Sequence, residues 1–105
     1  MATKTYAGKA VEVDGEGFMV NWEDWTEEMA PELAKEVGID ELTEGHWKVI
    51  RFIRKDYQET GQVPSIRRMK NAGNIPTGEL YQLFPDGPAK KSAKISGFGK
   101  PQGCV

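Results

Sequence analysis

Residues 43–61 read TEGHWKVIRFIRKDYQETG, and this stretch decides the fold. Its apolar side chains recur every three to four residues, which predicts an amphipathic helix over about 44–60. Thr43 is placed to cap the first turn, and Gly61 is placed to end the last one. The apolar stripe consists of Trp47, Val49, Ile50, Phe52, Ile53 and Tyr57. We expect this helix to be the spine of the core.

The segment before this helix predicts a hairpin followed by a short helix. Residues 3–6 and 9–13 alternate in polarity on either side of a tight turn at residues 7–8, the pattern of two antiparallel strands. An acidic segment follows the hairpin. Because proline suits the start of a helix and not its interior, we expect a helix to begin near Pro31 and to end at Gly38.

The segment after the central helix predicts three shorter helices. Turn and cap residues separate helical patterns at 65–71, 77–84 and 88–94. The first two have the outline of a helix-turn-helix. We therefore predict an α+β fold: a mostly helical single domain over residues 1–96, with an N-terminal β-hairpin and a helix-turn-helix-like segment.

Residues 97–105 differ in kind from the rest of the chain. Three glycines and a proline among nine positions do not hold regular structure by propensity. Termini are mobile unless they are tied down. We predict a flexible C-terminal arm over 97–105 that carries Cys104.

Composition narrows the class of protein. The length of 105 residues suits one domain, and no apolar run approaches the roughly 18 residues of a membrane-spanning helix. Residues 1–6 lack the apolar core of a signal peptide. A single cysteine cannot form an internal disulfide, and with one histidine it is too few for a structural zinc site. We expect a cytoplasmic protein with no membrane, metal or cofactor.

Charge is divided unevenly along the chain. Residues 1–45 hold 12 acidic and 3 basic side chains, a net charge of −9, and residues 46–105 hold 4 acidic and 11 basic ones, a net charge of +7. This asymmetry favours a charged partner for the basic half. The alternative is that the two halves neutralise each other within one fold.

Cys104 is the candidate reactive group. Thiolate is the nucleophilic form of cysteine, and nearby cations lower the pKa of a thiol; the lysines at 90, 91, 94 and 100 precede it. The adjacent carboxylate of Val105 acts in the opposite direction. A thiol on a flexible arm can enter a partner's active site, take up sulfane sulfur and pass it on. The alternative is an incidental exposed cysteine. His46, the only histidine, lies in the first turn of the central helix, where we expect a structural or capping role.

Several stretches together resemble the DsrC/TusE family of sulfur-relay proteins. The tail carries GPAK at 87–90, KISG at 94–97 and KPQGCV at 100–105, and LTEGHW at 42–47 is similar to the start of the family's central helix. The resemblance implies a small α+β fold and a penultimate reactive cysteine. It also implies a monomeric carrier that works with partner enzymes and is not a stand-alone enzyme.

The resemblance implies one of two pathways. One branch takes sulfur from an upstream donor complex and delivers it to the enzyme that thiolates the wobble uridine of tRNA. The other serves as the gamma subunit of dissimilatory sulfite reductase and uses a second arm cysteine eleven residues before the last one. Here Ala93 stands at that position, so we expect a TusE-like sulfur carrier, with the sulfite reductase partner or a regulatory relative as the alternative.

The site residues follow from this interpretation. Cys104 is the sulfur acceptor and donor. Residues expected to serve the arm or the docking of a partner are Lys94, Gly97, Lys100, Pro101, Gly103, Val105 and Arg67. Two departures from the family pattern concern these roles: Gly99 replaces an expected proline, and the stretch 70–80 is short.

The rival hypothesis is a helix-turn-helix DNA-binding protein. Basic residues accompany that segment, although its second helix is mostly apolar and carries Glu79, which suits packing better than reading base edges. The basic residues are Arg51, Arg54, Lys55, Arg67, Arg68 and Lys70. DNA binding with a steep salt dependence that survives Cys104→Ala would favour this rival.

Overall fold

The computed structural model describes residues 2–99, and its central element is helix α2, Glu44–Thr60. Two strands precede it, β1 (Ala2–Tyr6) and β2 (Lys9–Val13). Two short 3₁₀ turns follow the strands at Trp22–Asp24 and Glu27–Met29. The other helices are α1 (Ala30–Glu36), α3 (Ile66–Asn71), α4 (Thr77–Leu83) and α5 (Pro88–Ile95).

Helix α2 begins and ends where its capping residues place it. The backbone N–H of Thr43 donates to Nδ1 of His46 across 3.0 Å, and Nε2 of His46 lies 2.8 Å from the carbonyl oxygen of Leu83. Because a carbonyl only accepts, Nε2 carries the proton and Nδ1 is the acceptor. His46 therefore joins the first turn of α2 to the end of α4. At the other end, Gly61 adopts the left-handed conformation that closes the helix.

The hairpin covers one side of the core. Strands β1 and β2 pair antiparallel with Ala2 opposite Val13 and Tyr6 opposite Lys9. Its inward side chains are buried, among them Tyr6 and Val11. Ala7 and Gly8 form the turn with φ of 51° and 79°, the left-handed pair that two-residue hairpin turns need.

Helix α1 packs beside α5 and is tied to the hairpin. Its buried face contributes Ala30, Leu33 and Ala34 to the core, with Pro31 in the first turn as proline geometry requires. The hydroxyl of Tyr6 donates to Glu36 across 2.8 Å. The end of α1 is thereby held against β1.

Helix α3 packs on α2 through buried apolar side chains and an ion pair, and α4 packs against α3 and α5. Leu80 and Met69 are fully buried. Arg68 forms a bidentate pair with Asp56 of α2, at 2.8 and 2.7 Å. Asp56 is 3% exposed, so its charge depends on this partner.

The predicted fold class is confirmed. The chain forms one α+β domain with the N-terminal hairpin and the central helix at the expected positions, and the short helices differ from the predicted bounds by one or two residues. Within residues 2–99, no helix has the length and apolar character needed to cross a membrane.

Candidate functional site at the base of the C-terminal segment

The C-terminal end of α5 is closed by a Schellman motif. The N–H of Phe98 donates to the carbonyl oxygen of Ala93 across 3.0 Å, and the N–H of Gly97 donates to that of Lys94 across 3.2 Å. Gly97 has a φ of 86°. These two hydrogen bonds, together with the left-handed conformation of Gly97, define that motif. Residues 96–98, named the arm root below, therefore have a fixed path.

Gly97 is required at its position by contact as well as by conformation. A Cβ atom added there would lie 2.5–2.7 Å from atoms of Trp25, which no side chain tolerates. Nε1 of Trp25 donates to the carbonyl oxygen of Ile95 across 2.8 Å. The indole thus packs directly on the backbone of the arm root and is held there by a hydrogen bond.

Arg54 joins the arm root to the rest of the domain. Its guanidinium donates from Nη1 to the carbonyl oxygen of Ser96 across 2.8 Å and from Nη2 to that of Trp22 across 3.2 Å. The same group lies 4.2 Å from the ring centre of Trp25 and 5.3 Å from that of Phe98, within the range of cation–π attraction. Burial lowers the pKa of Arg54, although arginine remains charged at neutral pH.

Phe98 is the last apolar anchor in the described part of the chain. It is 2% exposed, and its ring lies 4.4 Å from that of Tyr57 and 6.0 Å from that of Trp22, centre to centre. Gly99, the next residue, is exposed. Along the described chain, Phe98 is therefore the last residue packed in the core, and Gly99 already lies at the surface of the domain.

Lys94 is engaged inside the domain. Its ammonium group lies 3.4 Å from a carboxylate oxygen of Glu36, and its side chain is only 13% exposed. It also lies 5.8 Å from the ring centre of Phe18. Lys94 thus links α5 to α1, a contact that the sequence did not indicate.

The other predicted site residues fall into two groups. Arg67 is exposed on α3. Cys104 lies outside the described residues, as do Lys100, Pro101, Gly103 and Val105. Gly97 and Phe98, the first residues of the predicted arm, are buried; the mobility predicted for 97–105 stays a prediction.

Three residues that hold the arm root in place were absent from the predicted site: Arg54, Trp25 and Phe98. The sequence carries a signal for Arg54, because positions 50, 54 and 57 lie on one face of α2 and an arginine there interrupts an apolar stripe. A charged residue on a core-facing stripe indicates a specific buried partner. No such signal exists for Trp25, whose contact lies 70 residues away.

The fixed root sets the range of the thiol. Cys104 follows Phe98 by six residues, and an extended chain spans at most about 3.5 Å per residue. Its backbone therefore stays within about 21 Å of Phe98.

Within residues 2–99, no three His, Cys, Asp or Glu side chains gather closely enough to hold a metal ion.

Comparison with known proteins places the chain in a family. The family described as DsrC like protein matches residues 5–105. Sulfurtransferase TusE of Yersinia pseudotuberculosis is 43% identical over 95% of this chain and 98% of its own length. The dissimilatory-type sulfite reductase subunit gamma of Nitratidesulfovibrio vulgaris is 37% identical over the whole of both chains. The solution structure of Allochromatium vinosum DsrC superposes with a TM-score of 0.80 at 38% identity, over 98% of this chain and 97% of that one. The chain therefore belongs to the DsrC-like protein family.

Proposed function

We propose that this protein is a sulfur carrier that accepts and donates sulfane sulfur as a persulfide on Cys104. The observation that supports this most directly is the arm root. Phe98 and Gly97 are buried against Trp22, Tyr57 and Trp25, and Cys104 follows six residues later. A thiol tethered to a fixed point can leave the domain surface and visit another protein.

Sulfur transfer to and from Cys104 needs no oxidant or reductant besides the donor persulfide and the acceptor thiolate. The Cys104 thiolate attacks the outer sulfur of a donor persulfide, a new S–S bond forms, and the donor leaves as a thiolate. In this step the S–S bond of the donor breaks, the cysteine sulfur of the donor is reduced to a thiolate, and the sulfur of Cys104 is oxidised to the persulfide level. Delivery repeats the exchange: an acceptor thiolate takes the outer sulfur and Cys104 leaves as a thiolate.

A single thiol is sufficient for this cycle, because the second thiol of each exchange belongs to the partner. Cys104 is the only cysteine of the chain. At position 93 stands a fully buried alanine of α5, whose carbonyl oxygen accepts the N–H of Phe98. The chain therefore cannot form an arm disulfide between positions 93 and 104.

We assign the protein to the TusE-like branch, which delivers sulfur toward 2-thiouridine in tRNA. The single thiol and the 43% identity to a protein named sulfurtransferase TusE favour this assignment. The partners are then an upstream sulfur-donor protein and a downstream acceptor enzyme. The alternative, a partner of dissimilatory sulfite reductase, is supported by the 37% identity to its gamma subunit.

Intact mass after incubation with a cysteine desulfurase and cysteine tests the carrier function. The wild type should gain the mass of one sulfur atom and lose it again with reductant, and Cys104→Ser should gain none. Gln102→Ser is the matched control, because it changes the same segment and keeps the thiol. Equal gain by the wild type and Cys104→Ser, or no gain by the wild type with several persulfide donors, would contradict the proposal.

A second measurement separates the two pathways. The wild type should restore 2-thiouridine in the tRNA of a bacterial strain that lacks its own TusE, and Cys104→Ser should not. If sulfur uptake succeeds but 2-thiouridine is not restored, the chain is a carrier of another pathway and the TusE-like assignment is wrong.

A further inference from the structure

A depression lies beside the arm root, and two of the residues that contact the arm root line it. Its volume is about 290 Å³, and Trp25 and Arg54 form part of its lining. Trp47, Arg51 and Lys55 of α2 line it as well. Two tryptophans and three cations therefore surround one shallow site.

The positive charge of this depression is not neutralised within the described part of the protein. The residues of the lining include the cations Arg51, Arg54 and Lys55, against one carboxylate, that of Glu27. The ion pairs among residues 2–99 include none of these four side chains. The guanidinium of Arg54 donates to two carbonyl oxygens, which carry no charge and so do not neutralise it. Arg51 and Lys55 are exposed, and the Arg51 guanidinium lies 5.7 Å from the ring centre of Trp47.

The length of the arm forces a partner toward this surface. This step rests on the proposed function. Cys104 is the fifth residue after Gly99, so the thiol reaches about 18 Å beyond Gly99 when the segment is fully extended. A buried active-site thiol of another protein lies below that protein's own surface. Its rim must therefore approach the domain around the arm root, where the depression lies.

We propose that this depression is the docking site for an acidic protein segment of the sulfur-exchange partner, with Arg51 and Lys55 binding its carboxylates. An apolar side chain of the same segment would lie between Trp25 and Trp47. Aromatic and arginine side chains together are the composition of interface hot spots. Charged residues around such a contact favour encounter and orientation of the partner.

The distribution of charge on this surface favours a protein segment over a nucleic acid. Arg51 and Lys55 are one helical turn apart, about 6 Å along α2. Nucleic-acid binding depends on several phosphate contacts along a continuous basic tract. Here Glu27 interrupts the basic surface, and the isoelectric point of the chain is about 5.4. A pair of carboxylates fits this site, whereas a phosphate backbone would meet Glu27.

Thiol–disulfide exchange with defined peptides tests the site without knowledge of the natural partner. Two synthetic peptides of equal length carry one cysteine activated as a thiopyridyl disulfide; in one it is flanked by Glu, Asp and Leu, in the other by Gln, Asn and Leu. The Cys104 thiolate attacks the peptide sulfur, and thiopyridone leaves and is measured by its absorbance. At low salt the wild type should react about fivefold faster with the acidic peptide, the advantage expected of two exposed ion pairs.

A matched pair of double variants locates the effect. Arg51→Gln/Lys55→Gln should lose the preference for the acidic peptide. Lys35→Gln/Lys70→Gln, which removes the same charge from exposed positions of α1 and α3, should keep it. Alkylation of Cys104 by iodoacetamide should proceed equally in all three proteins. An equal loss in both double variants, or no preference in the wild type, would overturn the proposal.

Two further outcomes are distinguishable. If an RNA hairpin binds the wild type and abolishes the preference, but does not bind Arg51→Gln/Lys55→Gln, the surface is a nucleic-acid site and the proposal is overturned. Disulfide exchange requires only an accessible thiol. A preference for the acidic peptide in a protein that takes up no sulfur would therefore support the docking site while contradicting the carrier function.

Discussion

The guanidinium of Arg54 donates a hydrogen bond to the carbonyl oxygen of Ser96 across 2.8 Å, and so connects the middle of α2 to the arm root. The two residues are 42 positions apart. The contact holds the residues that follow the short helix α5 in place. The path of the backbone at the arm root therefore depends on α2 as well as on α5.

Replacing Arg54 should loosen the arm root. Arg54→Met removes two hydrogen bonds from a charged donor and leaves the carbonyl oxygens of Ser96 and Trp22 without it. We expect the free energy of unfolding in urea to fall by about 2 kcal/mol. Lys55→Met, an exposed neighbour, should change it by less than about 0.5 kcal/mol. Faster hydrogen exchange at the amide of Phe98 in Arg54→Met alone would show that the arm root has opened; equal stability of the two variants would contradict this role.

Gly97→Ala should be costly and Gly99→Ala should not. A side chain at 97 must adopt the positive φ of this position and meets Trp25 at 2.5–2.7 Å, whereas a Cβ at 99 has nothing within 4 Å among the described residues. We expect a loss of about 2 kcal/mol or more at 97 and less than about 0.5 kcal/mol at 99. Chemical denaturation followed by tryptophan fluorescence measures both. Similar values for the two alanines would mean that the close contact with Trp25 does not exist in solution.

The Glu36 carboxylate should make stability depend on pH in the acidic range. Burial alone would raise the pKa of Glu36, but the hydrogen bond from Tyr6 and the ammonium groups of Lys4 and Lys94 outweigh it and lower the pKa below the ordinary 4.5. Because the folded chain has the lower pKa, the stabilisation is complete above about 4.5 and is lost as pH falls through the folded value.

The measurement for Glu36 is the stability difference between the wild type and Glu36→Gln. Glu36→Gln should be the less stable protein at neutral pH, and the difference should shrink below pH 4.5, where the wild type loses its advantage. Glu12→Gln, an exposed strand position, serves as the control for removal of one charge. A difference that is constant from neutral to acidic pH would refute the coupling.

Removing Arg68 should destabilise the protein although its own side chain is largely exposed. Asp56 is buried and would lose both of its charged hydrogen bonds, and an unpaired buried carboxylate is unfavourable. The hydrogen bond and charge of Asp56 raise the pKa of Arg68, which fits this pairing. Arg68→Met should lower Tm clearly, and Arg67→Met, its exposed neighbour, should shift it by no more than about 3 °C. Calorimetry that gave equal shifts would mean that the ion pair does not stabilise the fold.

Local signals were sufficient to predict the secondary structure. The period of the apolar residues from Trp47 to Tyr57 predicted α2, and the turn at Ala7 and Gly8 predicted the hairpin. Each of these signals lies within a few residues of the element it specifies, and it depends on steric preference and on the burial of one face. The capping role of His46 could be predicted for the same reason.

The candidate site depended on contacts that local signals do not encode. The sequence by itself determined which residue carries the thiol and that glycines precede it. Only the tertiary structure decided where the arm root lies on the domain. That position is set by Trp25, Arg54 and Phe98, which are far apart in the chain and meet only when the helices pack. The same packing places Lys94 beside Glu36, and an ion pair forms because the fold brings these two charged groups together.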